Sequence, residues 1–220
     1  MSQAKEDYIK TIYKLQKEED KVSTQKLAQM LGVSSPSVTK MIKKLKEEEW
    51  VDYTSYQGVA LTEKGRAKAL EMIRRHRLIE LYLHEKLGYT WDEVHEEAEA
   101  LEHHVSPRFI ERIERILNYP KFDPHGDPIP CKKGNLPTSS TITLLDIQPP
   151  KEVIVTRVND GNPKFLQYLA SMDLHIHTLV KVVKKAPFHG PMTLKIGDRL
   201  EMIGEEVCRQ IYVKEKEENV

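Results

Sequence analysis

Apolar residues near the start of the chain recur at helical spacing. Tyr8, Ile9, Ile12, Tyr13 and Leu15 predict one amphipathic helix, and a shorter one is predicted over 24–31, stopping at Gly32. Ser34 or Ser35 can cap a third helix, with Pro36 in its first turn and Val38, Met41, Ile42 and Leu45 at i, i+3, i+4 and i+7. The opposite face carries Ser37, Lys40, Lys43 and Lys44, a polar and cationic stripe suited to a major groove. Ala28 and Gly32 are small enough to permit a close crossing of the second and third helices. The run WVDYTSYQGVALT predicts a hairpin turning near Ser55 to Gly58, so the order of parts is that of a winged helix-turn-helix.

Thr62 then caps a long predicted helix with Ala67, Leu70, Ile73, Leu78, Leu81 and Leu87 as its apolar seam and Gly88 as its stop. Thr90 and Glu93 form a capping-box pattern for the next helix, and Ser106-Pro107 opens another that runs to about Asn118. Three successive helices with apolar positions to spare predict a dimerisation layer. Five prolines and two glycines within YPKFDPHGDPIPCKKGNLP forbid continuous helix or central strand, which predicts a linker. Beyond it TITLLDI, EVIVTRV, HTLVKVV, MTLKI and RLEMI read as short strands with one helical interval near 165–172, a small barrel. The fold class is therefore mainly α with a β-rich tail. It divides into 1–72 for DNA binding, 73–140 for metal binding and dimerisation together with the Pro-rich linker, and 141–220 for the barrel.

Composition narrows the class without overturning the pattern. The chain has 220 residues, 39% hydrophobic and 31% charged, which excludes collagen-like and disordered polymers. With no long apolar run and no signal-peptide core, it is expected to be cytoplasmic, with no membrane partner. Cys131 and Cys208 show neither CxxC spacing nor a disulfide framework and read as ordinary thiols. Net charge is zero, yet 1–75 holds 15 basic and 11 acidic side chains while 76–140 holds 8 and 12, a basic head ahead of an acidic middle.

The chemistry concentrates in VHEEAEALEHHVSP. On a helix, Glu99, Glu102 and His103 stand at i, i+3 and i+4, with His95 one turn earlier, and His76 and Glu80 form a second i, i+4 pair on the preceding helix. Neighbouring carboxylates repel unless a cation separates them, and an imidazole completes a donor set for a hard-to-borderline divalent ion. A solvated acidic helix is the plainer reading of each segment alone, and two such pairs on consecutive helices weaken it.

Taken together, EDYIKTIY, the Ser-Ser-Pro-Ser-Val-Thr helix opening, LTEKG, RRHRLIE and HEEAEALEHHVS resemble the diphtheria-toxin-repressor and manganese-repressor family of metal-activated transcription regulators. The resemblance spans 5 to about 118, and the tail over 143–214 resembles the SH3-like (FeoA-type) third domain of longer members. The resemblance implies a main metal site of Asp7, Glu99, Glu102 and His103 with His76 close by. It also implies an ancillary site near His76, Glu80 and His95, completed by His125 and Asp160, with Asp123 where relatives can carry cysteine. Carboxylates at Asp7 and Glu99, where the iron-responsive branch places Met and Cys, favour Mn²⁺. Fe²⁺ is the alternative effector, and Zn²⁺, Co²⁺ or Cd²⁺ are expected to substitute in vitro. Lys10 stands where two-domain manganese regulators carry a glutamate ligand.

On the DNA side the resemblance implies base or groove contacts from Ser34, Ser35, Pro36, Ser37, Thr39 and Lys40. Lys43, Lys44 and wing residues 53–57 would lie near phosphates. The expected function is a metal-dependent repressor whose homodimer binds pseudo-palindromic operator DNA when loaded, controlling manganese or metal-ion uptake genes, with no small-molecule substrate and no enzyme activity. Two other classes remain. A dinuclear metalloenzyme would need duplicated Glu-x-x-His pairs or HExxH, which are absent. A winged-helix regulator governed by an organic ligand would bind DNA without metal.

Overall fold

A computed structural model describes residues 1–55 and 57–216. Tyr56 of the wing and 217–220 of the tail lie outside the described residues. The chain divides into two compact units, Met1–His76 with Pro130–Asn135, and Arg77–Ile129 with Leu136 onward.

In the first unit α1 (Gln3–Leu15), α2 (Thr24–Leu31) and α3 (Ser35–Glu47) precede a hairpin of β1 (Val51–Thr54) and β2 (Gly58–Leu61). Ser34 caps α3 by accepting from the Ser37 amide, and Val38, Ile42 and Leu45 are fully buried on its inner face. They share a core with Ile9 and Ile12 of α1, Leu27 of α2, Val51 and Val59 of the hairpin, and Leu70 and Ile73 of α4 (Glu63–Leu87). Gly32 corrects one expectation. A Cβ there would meet nothing within 4 Å, so no close crossing demands the glycine; its φ of +63° does, because it closes α2 in the left-handed region. Thr62 accepts from the Gly65 amide at 3.1 Å and starts α4 as expected.

The second unit holds the last turns of α4, then α5 (Val94–Glu102) and α6 (Pro107–Ile116), around Leu78, Ile79, Val94, Ala98, Ile110 and Ile113. Ala67 and Leu87, placed in the α4 seam by period alone, are exposed, whereas Ala69, Met72, Ile79 and Leu83 are buried. A 25-residue helix that serves two cores cannot present one straight stripe throughout. Glu93 reaches back to the Thr90 amide and hydroxyl at 2.9 and 2.7 Å, yet the helix starts only at Val94.

The tail forms a five-stranded antiparallel sheet in the order β6-β5-β4-β3-β7, comprising β3 (Lys151–Val158), β4 (Leu179–Lys185), β5 (Met192–Ile196), β6 (Arg199–Ile203) and β7 (Ile211–Glu215). Irregularities between Val155 and Arg157 and between Val182 and Lys184 mark bulges that bend the sheet. It packs around Val153, Val155, Val180, Leu194 and Val213 with α7 (Pro163–Ser171). TITLLDI is not a strand. Thr143 and Asp146 close a capping box around a 3-10 turn, leaving one bridge from Thr143 to Tyr212. Sequence pattern also missed β7 and the short α8 (Glu205–Cys208).

Candidate metal centre

The segment expected to be a linker is a packed loop. Asp123, His125 and Asp127 are buried, Phe122 bridges Pro128, and the His125 carbonyl accepts from the Val158 amide of β3 at 2.9 Å. Gly126 makes this approach possible: a Cβ would lie 2.0 Å from the Thr156 carbonyl oxygen, and φ is +84°. The loop therefore lies directly against the sheet domain.

Ligand atoms of Glu80, Asp123 and His125 lie within 4.8 Å of one another, and all three residues are buried. Glu80 projects from α4 and takes a second neighbour from α5, its Oε1 standing 3.1 Å from His95 Nδ1. His125 is fully buried and its Nε2–H donates to the Trp91 carbonyl at 2.6 Å, which fixes the tautomer and leaves Nδ1 as the lone-pair nitrogen. That Nδ1 has no hydrogen-bond partner among the described residues. An inaccessible, unpartnered nitrogen beside two inaccessible carboxylates costs stability as it stands, and a divalent cation is the ligand that would satisfy all three at once. The residues fit such an ion.

Burial, then the negative charges of Asp127 and Glu80, push the Asp123 carboxyl well above the usual carboxylate range, with Arg77 pulling the other way. Arg77 is the residue that organises the loop. Its Nε lies 3.3 Å from Asp123, a terminal nitrogen lies 3.2 Å from Asp127, and the other donates to the Pro128 carbonyl. Trp91 stacks near His125, at 6.2 Å between ring centroids, while its side chain belongs to the core of the sheet domain. Neither Arg77 nor Trp91 was singled out from sequence, because neither carries a ligand-type signal.

The remaining expected ligands fall as follows. His95 Nε2 is 3.9 Å from Glu99, and His103 Nε2 is 3.3 Å from a buried Glu102, all in the second unit. Asp7 is half-buried on α1 and His76 is buried on α4, both in the first unit. Asp160 sits half-buried in the loop after β3 and belongs to no convergent donor group among the described residues. Neither cysteine joins a donor group among the described residues: Cys131 is exposed, and Cys208 is buried in the sheet core, where burial raises its thiol to about 11.

The face of α3 expected to meet DNA is open. Ser34, Ser35, Pro36, Ser37, Lys40, Lys43 and Lys44 are exposed, while Thr39 is half-buried and donates to the Ser35 carbonyl at 3.0 Å.

Comparison with known proteins supplies the context. The iron-dependent repressor N-terminal DNA-binding domain matches residues 1–59, the family's metal-binding and dimerisation domain matches 62–131, and a FeoA domain matches 142–215. A structure described as a manganese-dependent transcriptional repressor in complex with manganese is 39% identical, covering 96% of this chain and 100% of that one, with a TM-score of 0.86. The chain belongs to the iron-dependent repressor family. It is a metal-dependent transcriptional repressor of the diphtheria-toxin-repressor and manganese-repressor type, with a DNA-binding domain, a metal-binding and dimerisation domain and a FeoA domain. The repressor is 37% identical over 118 residues to the regulator MntR of Oceanobacillus iheyensis, 54% of this chain and 80% of that one. It is 36% identical over 125 residues to the iron-dependent repressor IdeR of Mycobacterium tuberculosis, where the match covers only 54% of the relative. ScaR with bound Cd²⁺ is 37% identical over 96% of this chain and 99% of that one, with a TM-score of 0.80. No helix among the described residues is long and apolar enough to cross a membrane.

Proposed function

We propose that this repressor responds to Mn²⁺ and that its loaded homodimer binds pseudo-palindromic operator DNA at metal-uptake genes. The observation that carries the metal assignment is the donor set. Glu80, Asp123 and His125 offer oxygen and nitrogen, and neither thiol of the chain stands with them. Such a set suits Mn²⁺ or Fe²⁺ better than a thiolate-selecting ion. The sequence over 1–140 adds a second set of the same character in Asp7, Glu99, Glu102 and His103, which we assign to the main site with His76. His95 and Asp160 are assigned to the ancillary site with Glu80, Asp123 and His125. Fe²⁺ is the second reading, favoured by the iron-dependent relatives, and Zn²⁺, Co²⁺ or Cd²⁺ would substitute in vitro.

A bound cation supplies positive charge to these carboxylates, and the protein's own residues do the rest. In this reading Asp7 is a ligand contributed by the DNA-binding segment (1–72) and Glu99, Glu102 and His103 are ligands contributed by the dimerising segment (73–140), so that the DNA-binding segment samples many orientations in the metal-free state. Restricting that sampling sets two α3 helices at the spacing of successive major grooves. Phe109 and Ile116, exposed seven residues apart on α6, supply an apolar face for a second copy. Ser34, Ser35, Pro36, Ser37, Thr39 and Lys40 face the groove in this reading, and Lys43 and Lys44 face phosphate. No residue is assigned a catalytic role.

The test is a set of operator-binding titrations with Mn²⁺, Fe²⁺, Zn²⁺ and chelator at matched salt. Loaded protein is expected to bind at least about tenfold tighter than chelated protein, a coupling of ordinary allosteric size. Equal binding by the chelated protein overturns the reading. Lys43→Ala should reduce the slope of log affinity against log salt by about one without changing sequence preference.

A further inference from the structure

Lys10 is a buried cation on the first helix. It lies on α1 one turn after Asp7, only 5% exposed, and its ammonium stands 3.4 Å from Nδ1 of His76, which is also 5% exposed. Both residues belong to the first unit. An ammonium group has three donors and no acceptor, so Nδ1 must be the acceptor in this contact. The imidazole then carries its proton on Nε2.

That tautomer has a consequence for coordination. Ligation through Nδ1 needs the lone pair that Lys10 now holds. Ligation through Nε2 needs the proton moved to Nδ1, which then becomes a donor and can no longer face an ammonium. Either way the Lys10–His76 contact and a His76–metal bond exclude one another. We infer that Lys10 is a built-in competitor for the metal, a cation of the protein itself that holds His76 in the metal-free state and raises the concentration of Mn²⁺ needed for loading. The inference rests on the proposed ligand role of His76. It adds that the threshold of the sensor is set by a residue that is not a ligand. A buried lysine suits the task, since its flexible stem lets the ammonium leave without moving the helix that carries it.

The experiment measures Mn²⁺ binding to the full chain directly, from the free-ion electron paramagnetic resonance signal, without DNA. Lys10→Met keeps the volume and apolar stem but removes the charge, and is expected to tighten binding by about tenfold, a pairwise coupling of normal size. In a His76→Ala background the same substitution should give no gain. If His76→Ala weakens binding but Lys10→Met does not tighten it, competition is overturned and the ligand role survives. If His76→Ala changes nothing, the ligand role fails and the inference falls with it. Imidazole ¹⁵N spectra of the chelated wild-type chain need no folded variant at Lys10. They should show His76 protonated at Nε2, losing that pattern on titration with Zn²⁺ as a diamagnetic substitute; a proton on Nδ1 of metal-free His76 overturns the inference.

Discussion

Two buried histidines in this chain face opposite situations. His76 has its Nδ1 lone pair engaged by the Lys10 ammonium, whereas His125 has its Nε2–H committed to the Trp91 carbonyl and its Nδ1 without a hydrogen-bond partner among the described residues. A native cation attends each place, but not in the same role. Lys10 contacts the imidazole itself, while Arg77 contacts Asp123 and Asp127 and leaves the imidazole alone. A compact ammonium on a long stem can be displaced. A planar guanidinium bound to two carboxylates and a carbonyl is part of the frame. In the proposed site the first histidine must be released before it coordinates; the second is held ready.

The sharpest way to break this contrast is to remove the frame. Arg77→Met would leave Asp123 and Asp127 buried without their fork, and a loss of about 3 kcal/mol in urea unfolding is expected for the metal-free chain. Mn²⁺ should restore much of it, because the ion replaces the missing charge. Stability unchanged by Arg77→Met would show that Arg77 does not hold the loop. Next in size, His125→Ala should weaken Mn²⁺ binding by about tenfold or more in equilibrium dialysis, as losing a held donor or its orienting shell does.

A smaller effect concerns pH. The Asp123 carboxyl is raised above its usual 3.8, so its contribution to metal-free stability is fully present below that value and fades as pH rises through the raised one. Thermal unfolding of chelated protein should therefore show wild type losing stability relative to Asp123→Asn across that rise. Mn²⁺ binding, which favours the ionised form, should strengthen over the same interval. Parallel pH profiles for the two proteins would count against the assignment. Smallest in consequence, a thiol reagent should label Cys131 in the folded chain and leave Cys208 untouched, its thiol being buried and pushed up to about 11. Mass spectrometry of the two peptides decides it.

What could be read in advance follows the range of the forces involved. Ser34, Thr62 and Ser106 were legible as helix starts because a cap is satisfied within three residues of itself. Glu80, His95, Glu99, Glu102 and His103 were legible as donors because helical spacing places them on shared faces. β7 was not, since its partner is β3, more than fifty residues earlier, and a short strand is defined by whom it pairs with. The first run of the tail misled for the converse reason. Its β-branched residues suit a strand, but Thr143 and Asp146 satisfy each other locally and turn the chain instead.

Sequence alone thus determined the order of parts, the third helix with its cationic face, and the chemical character of the candidate donors, all of them properties of neighbours along the chain. Tertiary structure decided which donors are protected from water and which cation attends them. Lys10 meets His76 across 66 positions, and His125 meets Trp91 across 34. The proline-rich segment, which by composition is only a connector, becomes a packed loop with buried candidate donors because Gly126 lets it press on the sheet and Arg77 holds its acids in place. Protonation, tautomer and desolvation depend on such distant neighbours, and no local pattern encodes them.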